Sequence, residues 1–218
     1  MIRINLVDDE TLIRAGLAAL INAEGDMEVT GQANDGADVP DLVRRTQPDL
    51  VLMDVRMPHL DGIQATRTLH TTLTRPPRVI VVTTFDNDDY VWDALRAGAT
   101  GFLLKRTPPE DILAAIRIAH RGETLLFPTA LRHLAATQPH APTPAAQAVA
   151  TLTERESQTL TLMAQGLTNA EIADHMILGV QTIKTHVSHI LTKLGVRDRT
   201  QAVIAAYDSG LIRPGTHH

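Results

Sequence analysis

The residues best suited to chemistry in the first half of this 218-residue chain stand where short apolar runs stop. Residues 2–7 run into Asp8-Asp9, residues 50–53 into Asp54 and residues 101–104 into Lys105; residues 79–83 end in Thr83, with Thr84 behind it. Each run has the length and the β-branched bias of a buried strand. If these strands lie parallel, their end residues share one edge of a sheet, the edge at which open parallel sheets bind ligands. Three carboxylates held together repel one another unless a cation sits among them. Mg2+ suits such a set, because it takes a few carboxylates plus waters and accepts a phosphate oxygen. Asp54 could then attack phosphorus and form an aspartyl phosphate. The Lys105 ammonium and a threonine hydroxyl would neutralise the rest of the phosphoryl charge. Taken singly, an Asp at a strand end is ordinarily a turn or cap residue, and a Lys there is ordinarily solvated. The reading rests on all of them reaching the same edge of four different strands.

The elements that must position these groups show in the periodicity. A further strand-like run spans residues 28–33, and stretches with helical spacing separate the runs. Leu12, Ala15, Leu17 and Leu20 mark the first, Val39, Leu42 and Val43 the second, and Ile63, Thr66, Leu69 and Leu73 the third. Tyr90, Val91, Ala94 and Leu95 mark the fourth, and Ile112, Leu113, Ile116 and Ala119 the fifth. Five strand–helix alternations predict an α/β domain over residues 1–122, a five-stranded doubly wound parallel sheet with helices on both faces.

Residues 123–150 read as a linker, with one short helix over 128–137. An extended stretch follows over 138–148, where Pro139, Pro142 and Pro144 stand among alanines. Residues 151–218 are expected to form a second, smaller all-α domain of four helices. Thr153 with Glu156, and Thr168 with Glu171, form capping boxes. Gly166, Gly179 and Gly195 punctuate the pattern, so helices are predicted to end near Gln165, to start near Asn169, to cover 180–194 and to run from about 200 to 209. Helix, tight turn, helix is a helix-turn-helix arrangement.

Within 180–194, Ile183, Val187, Ile190, Leu191 and Leu194 recur on one face and must be buried. Gln181, Thr182, Lys184, Thr185, Ser188 and His189 fall on the other, and residues 175–197 contain no acid. Short polar and cationic side chains on an acid-free face suit a helix lying in the major groove of double-stranded DNA. A merely solvated face ordinarily mixes Glu with Lys. Thr168 and Asn169 at a helix N-terminus, with Lys193, Arg197 and Arg199, complete the candidate DNA contacts. His186 and His189 stand three apart, but no acid or third histidine is near in sequence, so a metal pair is set aside.

Composition narrows the classes. The chain has no cysteine, which excludes disulfides, zinc–thiolate sites and thiol catalysis. Residues 1–123 carry 13 Lys/Arg against 19 Asp/Glu, and residues 153–218 carry six of each, so the basic signal is local rather than domain-wide. No apolar stretch has the roughly 20 residues a membrane span needs, and Asp8-Asp9 stand where a signal peptide needs its apolar core. A cytoplasmic protein without membrane contact is expected.

Val7-Asp8-Asp9-Glu10, the loop Met53-Asp54-Val55-Arg56-Met57-Pro58-His59-Leu60-Asp61-Gly62, and Ala97-Gly98-Ala99-Thr100-Gly101-Phe102-Leu103-Leu104-Lys105 resemble the motifs of two-component receiver domains. Leu152–Glu156, Thr182-Ile183-Lys184-Thr185-His186-Val187 and Lys193-Leu194-Gly195-Val196 are similar to the LuxR-type DNA-binding domain. Together they resemble the NarL/FixJ response regulators from end to end, apart from the linker. The resemblance implies a flavodoxin-like receiver, Asp54 as phosphoacceptor for a sensor histidine kinase, and Mg2+ held by Asp8, Asp9, Asp54 and the Arg56 backbone carbonyl. It implies Thr83 and Lys105 on the phosphoryl group and Phe102 as an aromatic that changes rotamer with Thr83; a strand residue packed on the sheet is an equal reading of Phe102. Two departures stand out: Arg106 follows Lys105 where many receivers have proline, and Gly179 replaces a serine cap before the reading helix.

Phosphorylation is expected to favour a homodimer on an inverted-repeat site, with RNA polymerase a possible further partner. Ala202, Val203, Ala205 and Ala206 offer small apolar residues for the approach of two copies, although packing within the domain is the plainer reading and must hold for some of them. Other classes fit less well. An aspartyl phosphatase of the haloacid dehalogenase type needs an acid two residues after its nucleophile, where this chain has Arg56, so an enzyme is not expected. A nucleotide-binding domain needs a glycine-rich loop where Asp8-Asp9-Glu10 stand. A receiver acting only through protein partners would leave the capped C-terminal helices without a task.

Overall fold

The computed structural model describes residues 1–84, 88–122 and 144–212, which fall into two compact units. The helix expected over 128–137 and the His217-His218 end lie outside the described residues. In the first unit, β1 (Ile2–Val7), β2 (Met27–Ala33), β3 (Leu50–Asp54), β4 (Arg78–Thr83) and β5 (Gly101–Leu104) form one parallel sheet in the order β2-β1-β3-β4-β5. Helices α1 (Thr11–Asn22), α2 (Val39–Thr46), α3 (Gly62–Thr72), α4 (Asp88–Ala97) and α5 (Pro109–His120) alternate with the strands. Strands β2, β3 and β4 outrun their sequence reading by one residue each, since Met27 pairs with Ile2, Asp54 with Val82 and Arg78 with Leu50.

Strand alternation splits the core in two. Leu50, Leu52, Ile80 and Val82 pack with Ile21 of α1 and Ile112 and Ile116 of α5 on one face. Val51, Met53, Val79 and Val81 pack with Val39 and Val43 of α2, Ala65 and Leu69 of α3 and Ala94 of α4 on the other. Each fully buried aliphatic side chain contributes about 1.5–3 kcal/mol of transfer free energy. The two-sided burial holds the strand ends, and with them the site residues, at fixed spacing.

The second unit contains the four expected helices, α7 (Glu154–Ala164), α8 (Asn169–Met176), α9 (Val180–Leu194) and α10 (Arg199–Asp208), preceded by a short α6 (Pro144–Val149). The extended reading of 138–148 is therefore corrected at its end. Pro144 opens a helix, where its missing N–H costs nothing, and α6 packs against α9 and α10. Both capping boxes form, at Thr153 with Glu156 and at Thr168 with Glu171. Gly179 caps α9 without a side-chain bond, and the helix forms nonetheless. On α10, Ala202, Val203, Ala205 and Ala206 are all buried, which is the packing alternative that their size also allowed.

Candidate functional site

The strand order reverses between β1 and β3, the place where a crevice opens beyond the carboxyl ends of a doubly wound sheet. Asp8 and Asp9 leave β1 there and Asp54 ends β3. Asp8 and Asp54 are buried and Asp9 is exposed, and each offers a carboxylate oxygen within 4.8 Å of the others. Lys105 crosses from the end of β5 and places its Nζ 2.8 Å from Asp8 Oδ2, 2.9 Å from Glu10 Oε1 and 3.1 Å from Asp54 Oδ2. Its backbone N–H donates to the Thr83 carbonyl at 2.7 Å, tying the end of β5 to that of β4. Arg106 in the place of proline thus leaves Lys105 aimed at Asp54.

The electrostatics follow from burial. Desolvation pushes the Asp54 carboxyl above its ordinary pKa, and the Lys105 ammonium partly offsets it. Burial works against the Lys105 charge, yet its bonds to Asp8, Glu10 and Asp54 outweigh this and hold its pKa above that of a free lysine. Thr83 is buried at the end of β4. Phe102 is half-buried on β5 and packs against the cluster shared with α2, α3 and α4.

The loop after Asp54 is shaped at both ends. The Gly62 N–H donates to the Val55 carbonyl at 2.9 Å, and a Cβ on Gly62 would run into the Asp54 carbonyl. Asp61 caps α3 by accepting from the Gln64 N–H at 2.7 Å. Arg56 lies in this loop two residues beyond Asp54, with its side chain exposed.

Three residues in contact with this machinery were not singled out from the sequence. Glu10 is the third carboxylate on Lys105. Arg14 of α1 donates to the Asp8 carbonyl. Asp35, in the loop after β2, is buried and accepts the backbone N–H groups of His59 and Leu60. Asp35 stands two residues past the end of β2, and the sequence pattern pairs it with no lysine or hydroxyl.

On α9, Gln181, Thr182, Lys184, Thr185, Ser188 and His189 are all exposed, while Ile183 and Ile190 are fully buried. Val187, Leu191 and Leu194 are half-buried rather than buried. Arg197 is exposed. Other expected contacts carry internal duties. Lys193 Nζ sits 2.6 Å from Glu156 Oε2, and Glu156 is buried at the start of α7. Burial disfavours the Glu156 charge, but Lys193 and the Thr153 donors win and hold its pKa at about 2. Arg199 is half-buried and donates to Asn169 Oδ1 at 3.0 Å and to the Leu167 carbonyl; burial brings its pKa down to about 10. Thr168 gives its N–H and hydroxyl to Glu171. Lys193 and Arg199 therefore each pin the unit internally, and a cation already committed to an internal partner has less to give a phosphate. Among the described residues no helix is long and apolar enough to cross a membrane.

Residues 4–117 match the response regulator receiver domain, and residues 150–206 match the bacterial regulatory proteins of the luxR family. The chain is 42% identical over 214 residues to the uncharacterized transcriptional regulatory protein YxjL of Bacillus subtilis, covering 97% of this chain and 98% of that one. It is 40% identical to the transcriptional regulatory protein LiaR of the same organism, covering 97% and 100%. It is 37% identical to the response regulator protein VraR of Staphylococcus aureus, covering 97% and 99%. Among solved structures it is similar to the response regulator ChrA of a heme-sensing two-component system, at 33% identity and a TM-score of 0.52, covering 97% and 98%. The RcsB response regulator of Salmonella typhimurium shares the fold at 21% identity, covering 94% and 98% with a TM-score of 0.57.

Proposed function

The chain belongs to the two-component response regulators that join a receiver domain to a LuxR-type DNA-binding domain, and from that premise we propose that Asp54 is its phosphoacceptor and α9 its DNA reader. It is a transcription regulator, and a receiver implies a kinase partner as its DNA-binding domain implies DNA. The observation that carries the finer reading is Lys105 Nζ lying 3.1 Å from a desolvated Asp54.

Asp54 attacks the phosphorus of a phosphohistidine on the sensor kinase. The new O–P bond forms as the P–N bond breaks, and the imidazole keeps the electron pair. Burial strips water from the Asp54 carboxylate and leaves it the more nucleophilic. Lys105 stands beside Asp54 Oδ2 and would donate to the incoming phosphoryl group, as would Thr83 from the end of β4. Asp8, Asp9 and Asp54, with the Arg56 carbonyl, would hold Mg2+, and three carboxylate oxygens already gathered within 4.8 Å suit a hard divalent cation that draws them in. That ion supplies charge neutralisation for the incoming phosphoryl oxygens.

On the DNA side, Gln181, Thr182, Lys184, Thr185, Ser188 and His189 enter the major groove and read base edges, with Arg197 on the backbone. One reading helix touches few base pairs, so two copies act together on an inverted repeat. With Ala202–Ala206 consumed in the core, that pairing uses another surface. The protein works in the cytoplasm, beside RNA polymerase, as a switch rather than as an enzyme with turnover.

Acetyl phosphate with Mg2+ tests the phosphoacceptor reading. One mass increment of a single phosphoryl group is expected on the wild type, and none with Asp54→Ala or with EDTA. Labelling that survives Asp54→Ala would move the site elsewhere.

A further inference from the structure

The loop that follows Asp54 is anchored at its base by Gly62, yet its crown, at His59 and Leu60, is held from a different part of the fold. Asp35 follows β2 and is 6% exposed. Its Oδ1 accepts the Ala37 N–H at 2.9 Å and the Leu60 N–H at 3.1 Å. Its Oδ2 accepts the His59 N–H at 2.9 Å and faces His59 Nδ1 at 3.1 Å. One carboxylate thus binds its own turn and two successive amides of the Asp54 loop. The backbone adds a further bond, from the Gly36 N–H to the Leu60 carbonyl at 3.2 Å. A Cβ on Gly36 would run into that carbonyl, so the two loops can lie this close only with glycine there. The amide donors, Ala37 first, hold the Asp35 carboxyl at about 2, so it is ionised whenever the protein is folded near neutral pH.

We propose that Asp35 is a positioning residue for the divalent-cation site: its carboxylate fixes the crown of the 55–61 loop and so sets where the Arg56 carbonyl stands. The inference rests on the phosphoacceptor reading above, in which that carbonyl is a ligand. Asp35 touches neither the ion nor the phosphoryl group. It acts through three covalent steps of loop, Arg56 to His59, whose far end it holds by charge-assisted bonds to amides. A carbonyl ligand has no side-chain rotamer to correct its aim, so a loop that wanders takes the ligand with it. Partners that orient metal ligands typically account for 10–100-fold in metal affinity.

Mg2+ affinity of the full-length protein, followed by NMR shifts of the site amides, tests this. Asp35→Ala is expected to weaken Mg2+ binding by about 10–100-fold and to speed amide exchange at His59 and Leu60. Its phosphorylation by acetyl phosphate is expected to recover toward the wild-type rate once Mg2+ saturates, a raised half-saturation with a restored plateau. Asp35→Asn keeps one acceptor oxygen and should fall between the two. His59→Ala, which spares both amide bonds, should stay within about threefold of wild type, well short of the Asp35→Ala loss. A stability defect alone would lower the melting point without moving the Mg2+ affinity of the folded protein. An Asp35→Ala affinity within twofold of wild type overturns the proposal while leaving the phosphoacceptor reading intact. Failure of the wild type itself to bind Mg2+ would remove that reading, and the positioning role with it.

Discussion

Lys193 is where sequence and structure give opposite experiments. As a phosphate contact, its loss would weaken binding to all DNA and reduce the salt slope by about one. As the partner of buried Glu156, its loss would weaken the fold and leave the slope alone. The side chains are 35% and 5% exposed. At an effective dielectric near 20 the attraction at 2.6 Å is about 6 kcal/mol before any cost of desolvation or ordering. Removing one partner of a fully buried pair costs about 3–5 kcal/mol, whereas an exposed pair contributes about 0–1. Glu156 would keep its Thr153 donors and the lysine is partly solvated, so Lys193→Ala is expected to cost about 2 kcal/mol. For a unit of this size that lowers the melting temperature by roughly 8–16 °C. The Glu156 carboxyl titrates at about 2 when folded against 4.5 when free. A depressed carboxylate lends its stability above the unfolded pKa and loses it as pH falls through the folded one. The gap between wild type and Lys193→Ala should therefore narrow as pH falls from 5 toward 2. Calorimetry of the C-terminal transition, paired with DNA affinity against salt, decides it. A melting point within 2 °C of wild type together with a slope reduced by about one would refute the argument.

Three further outcomes follow from single residues. Asp54→Asn should stabilise the receiver without Mg2+ by about 1 kcal/mol, read as a higher melting temperature. Burial raises the Asp54 pKa, so its ionised form opposes folding above pH 3.8 and the gain should disappear in acid; a lower transition at pH 7 would contradict this. Ile177 is 91% exposed in the left-handed region at φ 54° and ψ 51°, so Ile177→Gly should stabilise the C-terminal unit by about 0.5–1 kcal/mol in urea titration. Destabilisation there would mean that the side chain packs. A fragment of residues 144–218 should melt above one of residues 151–218, because α6 packs on α9 and α10; equal midpoints would leave α6 without a structural role.

Five strands, their order of chemistry and the helix-turn-helix were legible because period and punctuation are local signals. A β-branched run that stops at Asp54 is a strand end, and Thr168 with Glu171 is a helix start, whatever surrounds them. The same locality explains what was misread. Pro144 looks like extended linker from its neighbours, but a proline at the first turn of a helix breaks nothing. Ala202, Val203, Ala205 and Ala206 look like a contact stripe, and the sequence says only that they are small. Lys193 and Arg199 look like free cations because charge is visible in sequence and partners are not. Glu156 lies 37 positions before Lys193, and the Arg199 acceptor Asn169 lies 30 before it.

A carboxylate at a strand end reads as chemistry at β1 and β3, where it stands beside a lysine that crosses from β5. Asp35 follows β2 at the same edge and was passed over, because no cation or hydroxyl is paired with it in the pattern. Its partners are backbone amides, which every residue but proline carries and no composition count registers. The sheet edge therefore separates its acids by what they bind. Asp8 and Asp54 take a side-chain ammonium that a phosphoryl group can draw away, which leaves Asp54 to react and Asp8 to hold a cation. Asp35 takes amides whose positions are fixed by the chain, so it can only hold. A sequence pattern detects the first kind through the lysine; the second emerges only when the loop it clamps is seen to carry a carbonyl beside the reactive acid.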